Sequence, residues 1–135
     1  MKIALDEGAK MPTRGHPWDG GLDLYSRDFR YIKANGTWTF DTGVHAEIPE
    51  GYVGPIRTRS SMMREGIYTV GTIDAHYTGS IKVKLENHGI HRYSVQAGDR
   101  IAQRVIVPGL LPKLELVDHL GKTDRGSGGF GSTGR

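Results

Sequence analysis

Residues 80–87, SIKVKLEN, alternate apolar and polar side chains without a break, setting Ile81, Val83 and Leu85 against Lys82, Lys84 and Glu86. A period of two puts the first set on one face of an extended chain and the second on the other, the pattern of a half-buried strand. Residues 42–49, TGVHAEIP, repeat it with Val44, Ala46 and Ile48 opposed to His45 and Glu47. Residues 91–99, HRYSVQAGD, add Tyr93 and Val95. Turn chemistry falls between these runs. Asn35-Gly36, between YIK and TWTF, predicts a tight hairpin. Pro49-Glu50-Gly51, His88-Gly89 and Ala97-Gly98-Asp99 predict further turns. The expectation is an all-β domain of antiparallel strands.

Other segments depart from this rhythm. In residues 100–108, RIAQRVIVP, the apolar run from Val105 to Val107 predicts a strand buried on both faces, at a subunit contact. Gln103 interrupts that strand with an amide, which needs hydrogen-bond partners if buried. Only Ser61 to Gly66 invites a helix, with Ser60 or Ser61 as its cap. Pro108 and Pro112 break the pattern, and KLELV (113–117) predicts one last strand. The expected organisation is a β domain over 1–118 and a flexible arm over 119–135, where Leu120 and Phe130 are the only large apolar side chains.

The chain of 135 residues suits one domain with a modest core. Its net charge of +3, from 18 basic and 15 acidic residues, tolerates an anionic ligand without requiring nucleic acid. The basic cluster Arg57, Arg59 and Arg64 is short and interrupted, unlike a stripe that tracks a nucleic-acid backbone. The absence of cysteine excludes disulfides, thiolate nucleophiles and cysteine-bound zinc. MKIALDEGAKMP, at the N-terminus, lacks a secretory or transit pattern, and no run reaches membrane-spanning length. A soluble, intracellular chain is expected, of cellular or phage origin alike.

The arm ends in RGSGGFGSTGR (125–135), where Gly126, Gly128 and Gly131 match the dinucleotide fingerprint G-x-G-x-x-G. That fingerprint works when it leads into a helix whose N-terminus faces the phosphates. Only four residues follow Gly131, so no such helix can form. No Gly-Lys-Ser/Thr ends the stretch, which excludes a P-loop. Two readings remain: a solvated Gly/Ser tail, or a lid over a nucleotide. For the lid, Arg125 offers a fork of donors, Ser127, Ser132 and Thr133 offer hydroxyls, and Phe130 offers a face for a base.

Five stretches in order, GGLDLYS (20–26), GPIRTRSS (54–61), GTIDAHYTGSI (71–81), GDRIAQRV (98–105) and RGSGGFGSTG (125–134), resemble the motifs of the trimeric dUTPases. They span nearly the whole chain. The resemblance implies a jelly-roll-like β-barrel (a β-clip) with a flexible C-terminal arm. It also implies a homotrimer whose three sites lie at subunit interfaces, the arm reaching in from a third chain. Departures are Gly20, Met62-Met63, Ser80, and Tyr68 where many members carry asparagine.

The reaction implied is dUTP plus water giving dUMP and pyrophosphate, assisted by Mg²⁺ held mainly by the triphosphate. By position in the motifs, Asp74 would activate the attacking water and Gln103 would lie near the α-phosphate. Asp23 would hold the metal through water. Arg59, Ser60 and Ser61 would bind phosphate; Gly71, Ile73 and Asp74 would meet the nucleoside, with Tyr77 beneath the deoxyribose. Arg125, Ser127, Phe130, Gly131, Ser132 and Thr133 would close over the nucleotide. Uracil offers an N3 donor and an O4 acceptor where cytosine reverses both, so backbone groups around Gly71 could discriminate them. Such a mismatch costs factors of about 10⁴–10⁵.

Without the resemblance, Asp23, Arg59 and Asp74 each read as ordinary surface groups. His76 reads as a surface histidine, and His88 and His91 flank a turn with no third metal ligand near them in sequence. Two rivals stand beside the hydrolase. One is a dCTP deaminase of the same fold; the other is a nucleotide-binding regulatory protein whose arm acts as an RGG-like segment. No membrane or nucleic-acid partner is expected.

Overall fold

In β9 (Lys82–Asn87) the alternation of SIKVKLEN becomes geometry: Val83 and Leu85 are buried and Lys82 and Lys84 exposed. The structure, a computed structural model, describes residues 1–129. Ahead of β9 the chain forms β1 (Lys2–Leu5), β2 (Gly21–Tyr25), β3 (Arg30–Ile32), β4 (Thr37–Asp41), β5 (Val44–Glu47) and β6 (Tyr52–Arg57). Helix α1 (Ser60–Arg64), β7 (Ile67–Tyr68) and β8 (Val70–Ile73) come next. After β9 come β10 (Tyr93–Val95), β11 (Arg100–Val105) and β12 (Val107–Pro108).

All the ladders among these strands are antiparallel. One sheet runs β12-β6-β11-β2 with β8 beside β6; others are β4-β9-β7, β1-β5 and β10-β3. Their inner faces meet in a shared core that includes Leu24, Phe40, Val44, Ile56, Val83 and Leu85. This is the all-β, jelly-roll-like fold that the resemblance implied. Asn87 fastens the core's rim: its buried amide donates to Ile32 O, Lys33 O and His91 O at 2.8–3.1 Å, and its carbonyl accepts from Gly89 N.

Several local expectations are corrected. Asn35-Gly36 does make a turn, with Gly36 N donating to Lys33 O and Asn35 at φ 55, but not a hairpin. Its flanking strands diverge, β3 to β10 and β4 to β9. Residues 105–107 are half-buried in the single chain, and the strand breaks at Ile106. KLELV forms no strand; Leu114 and Leu116 are exposed because nothing in the described chain pairs with them. The helix exists, but its cap is Arg59, which makes no side-chain capping bond. Among the described residues no helix is long and apolar enough to cross a membrane.

One core position runs against its neighbours' chemistry. Arg104 of β11 is fully buried, yet among the described residues Nε and Nη1 have no partner, and Nη2 reaches only Met1 Sδ at 3.5 Å. Burial pulls its pKa down from the ordinary arginine value. Gly54 makes room for it, since a Cβ there would sit 3.2 Å from Arg104 Cδ. An unpaired buried cation destabilises, and an apolar side chain of similar length removes that cost. Arg104→Met is therefore expected to raise unfolding stability by about 1–3 kcal/mol, read from urea denaturation. A loss of stability would show that the guanidinium is satisfied in the folded chain.

Candidate functional site

Cross-strand register brings the first group of site residues together. On β2, Asp23 lies opposite Gln103 of β11, and Gln103 in turn lies opposite Arg57 of β6. The chain leaves β6 and presents Arg59 just before α1, so residues far apart in sequence converge on one carboxylate. Asp23 is 2% exposed. Its Oδ1 accepts from Arg59 Nε at 3.0 Å and from Gln103 Nε2 at 3.3 Å; its Oδ2 accepts from Arg100 Nη1 at 3.3 Å. Gly21 leaves space for the amide: a Cβ there would stand 3.1 Å from Gln103 Cδ.

Beside this cluster opens a cleft of about 250 Å³ lined by Arg59, Ser61, Tyr93, Asp99 and Arg100. Arg59 is anchored through Nε on Asp23, while its Nη1 reaches Ser61 Oγ and Arg100 O only at 3.5 Å. A guanidinium fixed at one corner offers its remaining N–H groups to planar oxyanions. Arg100 was missed in the sequence reading. Its signal was present as the first residue of RIAQ, but an arginine opening a strand has no distinguishing pattern. Ser60 is exposed at the start of α1.

Asp74 stands elsewhere. It follows Ile73, which pairs with Gly54 on the edge of β6 away from β11. It lines a separate groove of about 490 Å³ with Glu50, Tyr52, His76, Gly109 and Leu111. Strand spacing and rise put its backbone about 15 Å from that of Gln103. Tyr77 closes the turn after Asp74, donating its N–H to Asp74 O at 3.3 Å and its hydroxyl to Ser80 O at 3.0 Å. Gly71 and Ile73 lie on β8, which among the described residues pairs with β6 alone. Backbone N–H and C=O groups on its free edge are available to a ligand. His76 is exposed, at φ 66, and pairs with Glu50.

Arg125 and Ser127 are exposed, and Arg125 Nε donates to Gly128 O within its own turn. Phe130, Gly131, Ser132 and Thr133 lie outside the described residues. Among the described residues no group of three histidine or acidic side chains could cage a metal. The donor set still fits an outer-sphere role. Asp23 Oδ1 is saturated by two donors and Oδ2 holds one, which leaves a lone pair for a metal-bound water.

A buried carboxylate holding two arginines beside a cleft, on a jelly-roll-like β fold, suits a protein that takes an anionic ligand. The family model for dUTPase matches residues 7–134. The deoxyuridine 5'-triphosphate nucleotidohydrolase of Yarrowia lipolytica is 41% identical over 139 residues, covering 99% of this chain and 88% of that one. The dUTPase of Staphylococcus bacteriophage 80alpha, solved with dUpNHpp, matches with a TM-score of 0.93 at 29% identity, covering 99% of this chain and 98% of that one. A mutant dUTPase from phage phi11 of S. aureus, described for its coordination of a structural Mg(II) ion, has a TM-score of 0.82 at 28% identity, with 87% and 96% covered. The chain belongs to the dUTPase family.

Proposed function

We propose that this chain hydrolyses dUTP to dUMP and pyrophosphate by in-line attack of water on the α-phosphorus, in a site shared between copies of a homotrimer. The barrel over 1–118 supplies the fixed parts, and the arm over 119–135 closes the site. The observation that carries the reading is the Asp23 cluster, in which Arg59, Arg100 and Gln103 bond to one carboxylate and the two arginines line the adjoining cleft.

The roles follow from chemistry. Arg59 and Arg100 offset the charge of the triphosphate, which otherwise repels a nucleophile. Ser60 and Ser61 donate hydroxyls to phosphate oxygens, and Gln103 donates its amide near the α-phosphate. Asp23 would accept a hydrogen bond from a water of a Mg²⁺ carried by the triphosphate, an ion that would supply charge neutralisation there. Asp74 accepts a proton from the attacking water as the bond to the α-phosphorus forms and the bond to the bridging oxygen breaks. The free edge of β8 around Gly71 and Ile73 meets uracil, and Tyr77 packs beneath the deoxyribose, leaving no room for a 2′-hydroxyl. Arg125, Ser127, Ser132 and Thr133 hold the outer phosphates, with Phe130 on the base and Gly131 letting the arm close.

Two observations support the shared site. Asp74 and Gln103 of one copy lie on opposite sides of β6, their backbones about 15 Å apart by strand spacing and rise. Leu110, Leu111, Leu114 and Leu116 are also exposed in a row where the chain leaves β12, an apolar segment suited to another copy. A pyrophosphate-release assay with dUTP, dCTP, dTTP and UTP tests the reading, with turnover expected for dUTP alone. Conversion of dCTP to a deaminated product would favour the deaminase reading instead.

A further inference from the structure

The loop from Asp74 to Ser80 carries two residues of the proposed site yet lies outside any ladder. Its far end is well held: Ser80 Oγ donates to Asp41 Oδ1, Ile81 N to Val44 O at 2.8 Å, and Thr42 Oγ1 to Ile81 O at 2.7 Å. Between Asp74 and Ser80, two barrel side chains reach it. Glu50 pairs with His76 where both are open to water, so that pair adds little. The other is His45 of β5.

His45 makes a bond at each ring nitrogen. Nδ1 lies 2.7 Å from Thr78 O and Nε2 lies 3.0 Å from Asp6 Oδ1. A backbone carbonyl and a carboxylate both only accept, so each nitrogen must carry a hydrogen. A neutral imidazole has one N–H and leaves one contact lone pair against lone pair. The two contacts are satisfied together only by the imidazolium.

We infer that His45, as a doubly protonated bridge between Asp6 and Thr78, is a positioning residue that holds the Asp74–Ser80 loop for the proposed reaction. The inference rests on the roles proposed above for Asp74 and Tyr77. His45 acts through the loop and touches no substrate. The charged groups around it agree. Asp6 faces it from the end of β1, and Asp41 faces it from the end of β4. Arg27 faces Asp6 at 3.5 Å, and Lys2 pairs with Glu47 in the groove that His45, Asp6 and Thr78 also line. The Thr78 carbonyl and then the Asp6 carboxylate raise its pKa above the ordinary histidine value. With the folded pKa above the unfolded one, the clamp is complete below about pH 6.5 and is lost as pH rises through the raised value.

The test uses the full chain at saturating Mg²⁺. Proton NMR of the His45 ring should give a pKa above 6.5, and the amides of Tyr77 and Thr78 should titrate with it. The kcat/KM of the wild type for dUTP should fall along an alkaline limb with that same pKa. His45→Gln should lose this limb and be about tenfold to a hundredfold slower at low pH, as expected for a misplaced loop. Asp6→Asn keeps the ring and its Thr78 bond, and should move the limb to lower pH. Loop amides that ignore the His45 titration, or variants whose pH profiles match the wild type, would overturn the inference. A wild type that does not turn over dUTP would instead remove the proposed function, and the amide titration would still decide whether His45 holds the loop.

Discussion

Asp74→Asn is expected to lower turnover of dUTP by about 10²–10⁴-fold while leaving the affinity for a non-hydrolysable imido analogue within a few-fold. The amide keeps the size and hydrogen-bonding reach of the carboxylate but cannot take a proton from water. The exposed Asp74 side chain makes no hydrogen bond or ion pair among the described residues, so its replacement removes no support from the fold. The turn that places it is made by its backbone, through Tyr77 N and Asp74 O. Single-turnover pyrophosphate release measures the first quantity and titration calorimetry the second. A parallel loss of binding would assign Asp74 to holding the nucleotide rather than to the chemistry.

Ending the chain before Arg125 should leave a folded, assembled protein whose kcat/KM for dUTP falls on the order of 10³-fold. The structure gives the reason for both halves. Arg125 and Gly128 bond to one another, and Gly126 bonds to Thr123. Among the described residues, no core residue bonds to them. What is lost is a guanidinium with a fixed charge and a set of backbone N–H groups, available to a triphosphate at its most charged end. Unchanged thermal unfolding with collapsed turnover is the expected pair of results. Unchanged turnover would make the arm an idle tail.

What could be read from the sequence, and what could not, follows how local each signal is. The strand of residues 82–87 was legible because a period of two reports one buried face whatever pairs with it. The turn at Asn35-Gly36 was legible, but not the divergence of β3 and β4, since turn chemistry does not name the partner strand. KLELV carries the same alternation as a real strand and makes none, because no described strand lies beside it.

At the site, the ordered motifs pointed to Asp23, Arg59 and Gln103, and register unites them. Arg100 and Gly21 escaped notice, for their roles exist only once β2 and β11 pair. Arg104 was beyond pattern reading altogether. An arginine in an alternating strand reads as the exposed member, yet this one is buried. His45 sat on the polar face of TGVHAEIP with nothing to show that Asp6 and Thr78 flank it.

The proposed site needs Asp74 from one copy and Arg59 from another. Mixing two inactive variants measures this directly. Asp74→Asn and Arg59→Ala chains, unfolded together in equal amounts and refolded, should recover dUTP hydrolysis at about one quarter of the wild-type site count, the fraction expected when subunits combine at random across a head-to-tail interface. Refolded separately, each should stay inactive. If the mixture gains nothing while co-assembly is shown by tagged chains, both residues act within one copy and the shared site is wrong.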